Sequence, residues 1–439
     1  MQFIGDFHIH SKYSRATGKL TDLEHLFIYS KFKGIDVVGT GDFTHPKWFS
    51  EIKNKLKLED NGLFTIKDQS LDYVEDKNLL EINKIFNKNV YFIPTAEIAC
   101  IFKEKDRGRR LHIVLIANNL ESIEKINKEL SEIGNLYSDG RPILGLHAKK
   151  LLEICLNIDK NILFVPAHIF TPWFGLYGSK SGFDSIYDCF GDLTQYIYAL
   201  ETGLSADPEM IYRVEEAKKF QLISNSDAHS PENLGREANV FEGEKLSTEN
   251  IINALKNKDN EKLKLKRTIE FFPEEGKYHY DGHANCKVCF SPEETLKHNG
   301  LCPVCGRELI KGVLYRVNEL ANNKEKNENN IKNEQNYYSI APLKMVIAEV
   351  LEKGETSKAV LGIYDTIIKK GYSEFDILVF LNENKLDEIL YNIKEKDKIK
   401  KAIIDIRNKK VNKIPGYDGV FGRIELIKDK VEKEQEKIF

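Results

Sequence analysis

No sign of charge dominates this chain of 439 residues: 65 Lys and Arg stand against 68 Asp and Glu, a net charge of −3. That balance excludes a bulk polycation, so any surface basic enough for nucleic acid must be local. No apolar run is long enough to span a bilayer, and Met1-Gln2-Phe3 opens no signal-peptide pattern, which predicts a cytoplasmic protein with no membrane partner. Cysteine is scarce and odd in number, seven in all, which argues against a disulfide framework. Cys100, Cys155 and Cys189 lie in apolar neighbourhoods and read as plain core residues. With 41% hydrophobic and 30% charged residues, the composition is that of a soluble globular protein, long enough for two or three domains.

From residue 1 to about 235, short apolar runs alternate with helical patterns. Gln2–Asp6, Ile35–Thr40, Val90–Thr95, Leu111–Ile116, Ile162–Pro166, Tyr196–Leu200 and Gln221–Ser224 read as strands, and Leu23–Lys33 as a helix. Continuous apolar strands separated by helices predict a parallel sheet in an α/β fold, here a β/α barrel with its chemistry at the C-terminal ends of the strands.

Those ends carry polar, metal-capable residues. The first strand leads into Asp6-Phe7-His8-Ile9-His10-Ser11, with two imidazoles at i and i+2 facing one way. Asp42 and His45 follow the second strand, Glu97 the third, His168 sits in Pro166-Ala167-His168, Glu201 ends a later strand, and Asp227 and His229 lie in Ser226-Asp227-Ala228-His229. His112 is the exception, since it opens its strand. Imidazoles and carboxylates repeated at strand ends point to a divalent-metal site. His147 begins a helical pattern and is left out. Lys12 and Arg15, in the loop after the first histidine pair, are candidates for phosphate contacts or solvated surface. The aromatic loop after His168, with Phe170, Trp173 and Tyr177, either stacks on a base or packs as a lid.

These motifs, in this order, resemble those of the PHP superfamily of metal-dependent phosphoesterases. The resemblance implies a distorted PHP-type β/α barrel holding two or three divalent metals (Zn, Mn or Mg). His8, His10, Glu97 and Asp227 would build one position with Glu97 bridging, His112 and His168 would serve another, and His229 a third. Phe43 stands where the family's second motif has a histidine, so Asp42 or His45 takes that role. A further histidine is replaced by the run Ser14-Arg15-Ala16-Thr17. Asp227, Glu97 and Arg15 are the candidate catalytic residues.

After the barrel, assigned to residues 1–272, the texture changes. Cys286, Cys289, Cys302 and Cys305 form paired CxxC knuckles, the spacing of a four-cysteine zinc ribbon, assigned to 273–317. Four thiolates would hold one structural zinc that a module without its own core needs. Its basic edge, including Arg307 and Lys311, is read as contacting DNA. Residues 318–336 read as a polar linker, and 337–439 as an α-helical C-terminal DNA-binding region. Near its end lies the Gly-rich run Gly416-Tyr417-Asp418-Gly419-Val420-Phe421-Gly422.

Barrel, ribbon and helical region in this order resemble the endonuclease Q family across essentially the whole chain. That implies a metal-dependent DNA repair endonuclease acting on double-stranded DNA, with replication or repair partners unknown. It would hydrolyse the phosphodiester 5′ to deaminated bases such as hypoxanthine or uracil, and also at abasic sites. The alternatives are a PHP phosphatase for a small phosphomonoester, which leaves ribbon and tail without a role, and a non-catalytic nucleic-acid-binding protein, against which the near-complete ligand set argues.

Overall fold

The computed structural model describes residues 1–257, 262–322 and 336–427. Most of the expected linker therefore lies outside the described residues. Its first part, 318–322, belongs to the helix Val313–Asn322.

The sheets are mixed, which corrects the expectation of a parallel one. Gln2–Asp6, Val37–Gly39 and Tyr91–Ile93 do run parallel, in the register Gly5 to Val37 and Val37 to Tyr91. The helix Leu23–Lys33 makes the first crossover. Asp22 caps its first turn by accepting from the His25 amide, and Gly34, at φ 96°, ends it. Ala238–Gly243 then pairs antiparallel with the first strand and with Leu263–Phe271, completing an eight-stranded sheet with Tyr337–Ile340 at one edge and Leu56–Leu58 at the other.

A second sheet is built on an antiparallel hairpin of two ten-residue strands, Thr95–Glu104 and Arg107–Ile116. Lys105 and Asp106 join them, both at positive φ (45° and 62°), as a two-residue turn matched to strand twist requires. Because the second strand starts at Arg107, His112 lies inside it rather than opening it. Two short parallel strands, Ala199–Glu201 and Gln221–Ile223, form a further pair.

The strands face one shared interior. Phe7, Val37, Ile93, Val114, Val165, Ala199 and Ile223, from all three sheets, pack in a single buried cluster. Among the described residues the hydrogen-bonded ladder is broken into separate sheets rather than one ring.

The C-terminal region is docked on this body. Tyr337–Ile340 extends the main sheet, and the buried Glu374 pairs with Lys33 of the first helix at 2.8 Å. The helices are Leu343–Leu351, Lys358–Ile368, Glu383–Leu390 and Lys396–Arg407. The span 386–407, continuous in apolar pattern, breaks at 391–395, where Asn392 and Glu395 take positive φ. Between the second and third of these helices lies a single wide turn, Asp376–Phe380, whose carbonyls are bonded by Arg407. No helix among the described residues is long and apolar enough to cross a membrane.

Candidate active site

Three backbone placements bring the expected residues together. His8 and His10 leave the first strand on one side, their ring centroids 5.4 Å apart. Glu97 and His112 come from the long hairpin. Glu97 is directly opposite Val114, and His112 shares the inward face with Val114 and Ile116 by the two-residue period. His168 and Asp227 sit just past strand ends with φ of 28° and 47°, a conformation that non-glycine residues adopt only under constraint. Gly203 shows the constraint at His168: a Cβ there would lie 2.4 Å from His168 Cβ. Asp227 is fixed by Arg236, which donates to the carbonyls of Ser226 and Asp227 at 2.8 and 3.2 Å.

Glu97 divides its oxygens between two groups. Oε1 lies 2.6 Å from His112 Nδ1 and 3.3 Å from His168 Nε2. Oε2 lies 3.2 Å from His10 Nε2 and 3.4 Å from His8 Nε2. Asp227 Oδ1 completes the second set, at 3.0 Å from His10 Nε2. Among the described residues of the α/β body the candidate ligands therefore form two groups, His8/His10/Glu97/Asp227 and Glu97/His112/His168, sharing one carboxylate.

The residues fit a cation. His8 Nε2 is buried with no hydrogen-bond partner, while Glu97 Oε2 and Asp227 Oδ1 face it at 3.4 and 3.6 Å. Donors about 2 Å from one ion stand about this far from one another. Electrostatics agree. Burial opposes charge on His8, yet Glu201, Glu97 and Asp227 hold its pKa well above the ordinary imidazole range. Burial likewise opposes charge on Glu97, but His112, Arg141 and His8 keep it well below the ordinary carboxylate range. Burial takes His112 down to about 4, so its lone pair is free at neutral pH. A site that draws protons this strongly onto His8 and His10 favours positive charge of any kind.

Two carboxylates stand behind the ligands. Glu201, buried, accepts from His8 Nδ1 at 3.0 Å and from the His168 amide at 2.9 Å. Asp42 accepts from His10 Nδ1 at 3.2 Å. Each fixes the tautomer that turns Nε2 toward the cluster. This reassigns Asp42, expected as a ligand: its Oδ2 accepts from the Ser11 amide and hydroxyl and from Ser14, which leaves it behind His10. His45, the other candidate, caps the helix Pro46–Lys55 by accepting from the Trp48 amide and stacks on Tyr13 at 4.4 Å. His229 belongs to neither group. Its Nδ1 donates to the Asp227 carbonyl at 2.9 Å and its ring lies 4.4 Å from His10.

A cavity of about 610 Å³ opens over the cluster, lined by His112, His168, Asp227 and His229 and by Arg110, Arg141 and Arg236. Arg141 is the residue that sequence reasoning missed. Its Nη1 donates to Glu97 Oε2 at 3.0 Å. It lies in the loop just before the two-residue strand Ile143–Leu144, at a strand start, so no pattern at the C-terminal end of a strand signals it. Arg15, a candidate for phosphate contact or solvated surface, is 73% exposed and pairs with Asp139 at 3.2 Å. Lys12 is tied to Glu51 at 2.9 Å.

Of the aromatic candidates, Phe170 and Tyr177 are core residues out of reach of any ligand, and the Tyr177 hydroxyl donates to Glu216. Trp173 remains accessible at the cavity, 38% exposed. Arg307 is exposed, and Lys311 is half-buried against Tyr315 and Glu319.

In the ribbon, His283, Cys286, Cys302 and Cys305 come within ligand reach of one another. Cys289 does not join them; its Sγ faces the Pro415 carbonyl at 3.8 Å. The hairpin register is the reason. His283 pairs with Val288, which packs with Cys302 and Leu309. Cys289, one residue on, points to the other face with Gly282.

The chain is similar to known proteins over nearly its whole length. The PHP-associated family model matches residues 209–260. The protein MJ0043 of Methanocaldococcus jannaschii is 35% identical over 276 residues, 61% of this chain but 33% of that protein, so the chain spans about a third of that relative's length. The crystal structure of the lesion-specific endonuclease PfuEndoQ from Pyrococcus furiosus is similar with a TM-score of 0.80 and 33% identity, covering 98% of both chains. A structure of endonuclease Q in complex with a 27-mer duplex substrate carrying an abasic lesion at the active site gives a TM-score of 0.81 at 33% identity, covering 98% of this chain and 99% of that one. With the α/β body, the ribbon and the C-terminal helices all inside that full-length match, the chain belongs to the endonuclease Q family of PHP-domain nucleases.

Proposed function

We propose that this protein is a DNA repair endonuclease that hydrolyses the phosphodiester 5′ to a deaminated base, hypoxanthine or uracil, or at an abasic site, in double-stranded DNA. The observation that carries the reading is the pair of donor groups joined through Glu97 at the floor of a cavity lined by three arginines. Its chemistry is that of a phosphodiester: an anion to be neutralised and a nucleophile to be generated at neutral pH.

His8, His10, Glu97 and Asp227 would hold one divalent ion, and Glu97, His112 and His168 a second, in a distorted PHP-type barrel. Zn, Mn or Mg so bound would supply hydroxide at neutral pH and neutralise phosphate charge. Glu201 and Asp42 keep His8 and His10 in the ligating tautomer. Arg141 presents its remaining N–H donors to the cavity, where a non-bridging phosphate oxygen would accept them. A lesion base pairs poorly and is cheap to extrude, which brings its phosphodiester to the floor.

The cavity itself weighs against a small-molecule phosphatase. Lys277, Tyr278 and Phe421, from outside the 1–272 barrel, form part of its wall, so the later segments complete the site. The test is a 5′-labelled duplex carrying deoxyinosine, deoxyuridine, an abasic site or none, incubated with Mn or Mg. A single nick 5′ to the lesion, absent from undamaged DNA, is expected. Turnover of a generic phosphomonoester without nicking would overturn the reading.

A third metal position would be a structural zinc in the ribbon, held by His283, Cys286, Cys302 and Cys305. Burial raises the Cys302 thiol, but the backbone amides of Cys305 and Val304 outweigh it and bring it down to about 6, a thiolate ready for a metal. The expected result is that His283→Ala lowers zinc content while Cys289→Ser leaves it at the wild-type value, measured by mass spectrometry of the purified protein. The reverse outcome would restore the four-cysteine set.

A further inference from the structure

The Gly-rich run 416–422 is the motif that the site described so far leaves unused. It forms the eight-residue loop, 415–422, between the strands Val411–Ile414 and Arg423–Leu426. Such a loop is ordinarily mobile, but this one is threaded onto the segment 274–284. The amides of Gly416, Gly419 and Gly422 donate to the carbonyls of Glu274, Lys277 and Glu275 at 2.7, 3.0 and 3.0 Å. The Tyr280 amide donates to the Gly416 carbonyl, and Asp418 accepts from the Ala284 amide at 2.7 Å. Gly422 has to be glycine, since a Cβ there would lie 2.0 Å from the Glu274 carbonyl oxygen.

This rigid mount carries a large aromatic ring into the open. Phe421 is 56% exposed, yet it lines the cavity above the metal ligands. Lys277 Nζ lies 4.5 Å from its ring centroid. Trp173, in the same cavity, has the Arg110 guanidinium 5.4 Å from its ring. Exposed aromatic faces backed by cations suit a planar, polarisable ligand that arrives with negative charge. On the proposed function, such a ligand is a nucleobase attached to the phosphodiester at the floor.

We propose that Phe421, braced by Lys277, is the platform on which the extruded lesion base stacks, so that the C-terminal hairpin, and not the barrel alone, reads the base. This rests on the endonuclease reading above. An abasic site offers no base to stack, which separates the two claims. The experiment compares kcat/KM for hypoxanthine and abasic duplexes for the wild type, Phe421→Ala and Phe421→Trp. Stacking of one base on an aromatic ring predicts that Phe421→Ala lowers the hypoxanthine-to-abasic ratio about tenfold or more, and that Phe421→Trp restores it. A ratio unchanged in Phe421→Ala would overturn the proposal, whether both rates stay high or fall together as for a wedge filling the duplex gap. A wild type that cuts neither substrate, and binds neither more tightly than undamaged duplex, would overturn the endonuclease reading and this proposal with it.

Discussion

Glu97→Gln is expected to abolish nicking, by about a thousandfold or more, and to lower the metal content of the barrel. The substitution keeps volume and shape but replaces one carboxylate oxygen with an amide nitrogen. Oε1 faces His112 and His168, while Oε2 faces His8, His10 and Arg141, so neither position tolerates an NH₂ group. An amide also lacks the charge that would hold two cations side by side. Several kcal/mol of transition-state stabilisation would depend on such cations, and each 1.36 kcal/mol is a factor of about ten. Metal content by mass spectrometry and nicking of an abasic duplex check this together, with thermal melting to verify the fold. A variant that retains both full metal content and a full rate would show that Glu97 does not join the two groups.

Arg141→Met is expected to behave differently: metal content retained, kcat lower by about a hundredfold to a thousandfold, KM little changed. That is the signature of a donor aimed at charge developing in the transition state. Arg141 is held for this purpose by its loop. Asp139 accepts from the Arg141 and Arg15 amides, each at 3.2 Å, and the Gly140 amide donates to the Tyr13 carbonyl at 3.0 Å. The loop is thus fastened to the segment that follows His10. Arg141→Lys keeps the charge without the planar fork and should fall between wild type and Arg141→Met. Arg15→Ala, which removes an exposed pairing with Asp139, should cost far less. Single-turnover nicking rates decide between them. Loss of metal in Arg141→Met would instead make Arg141 a positioning residue for Glu97.

The ligand set was legible in the primary structure because strand ends are legible. A short apolar run ending in His, Asp or Glu carries its own address, which pointed to His8, His10, His168 and Asp227, and also to Glu97, although the structure places Glu97 inside the hairpin strand Thr95–Glu104 rather than past a strand end. His112, which by pattern opens its strand, came through only by the family resemblance; the structure places it inside the strand Arg107–Ile116, facing Glu97. What stayed hidden was whatever depends on partners remote in the chain. Asp42 has a ligand's chemistry at a ligand's address, and only the convergence of Ser11, Ser14 and His10 on it shows that it stands behind the histidine. Arg141 has no address, because its place follows from a loop pinned by Asp139. His283 outranks Cys289 only through the register of a three-residue hairpin.

The same division holds for the whole molecule. Local patterning determined which residue types could carry the chemistry, that a cysteine-rich segment with metal-ligand spacing follows the α/β body, and that helices follow that segment. Those are properties of spacing and polarity within a few residues. The tertiary structure alone decided strand direction in the long hairpin, the docking of the C-terminal region on the main sheet, and the arrival of Lys277, Tyr278 and Phe421 at a cavity floored by residues from the first half of the chain. Such contacts join positions up to hundreds of residues apart. Burial and backbone hydrogen bonding select them, and neither leaves a mark in any short stretch of sequence.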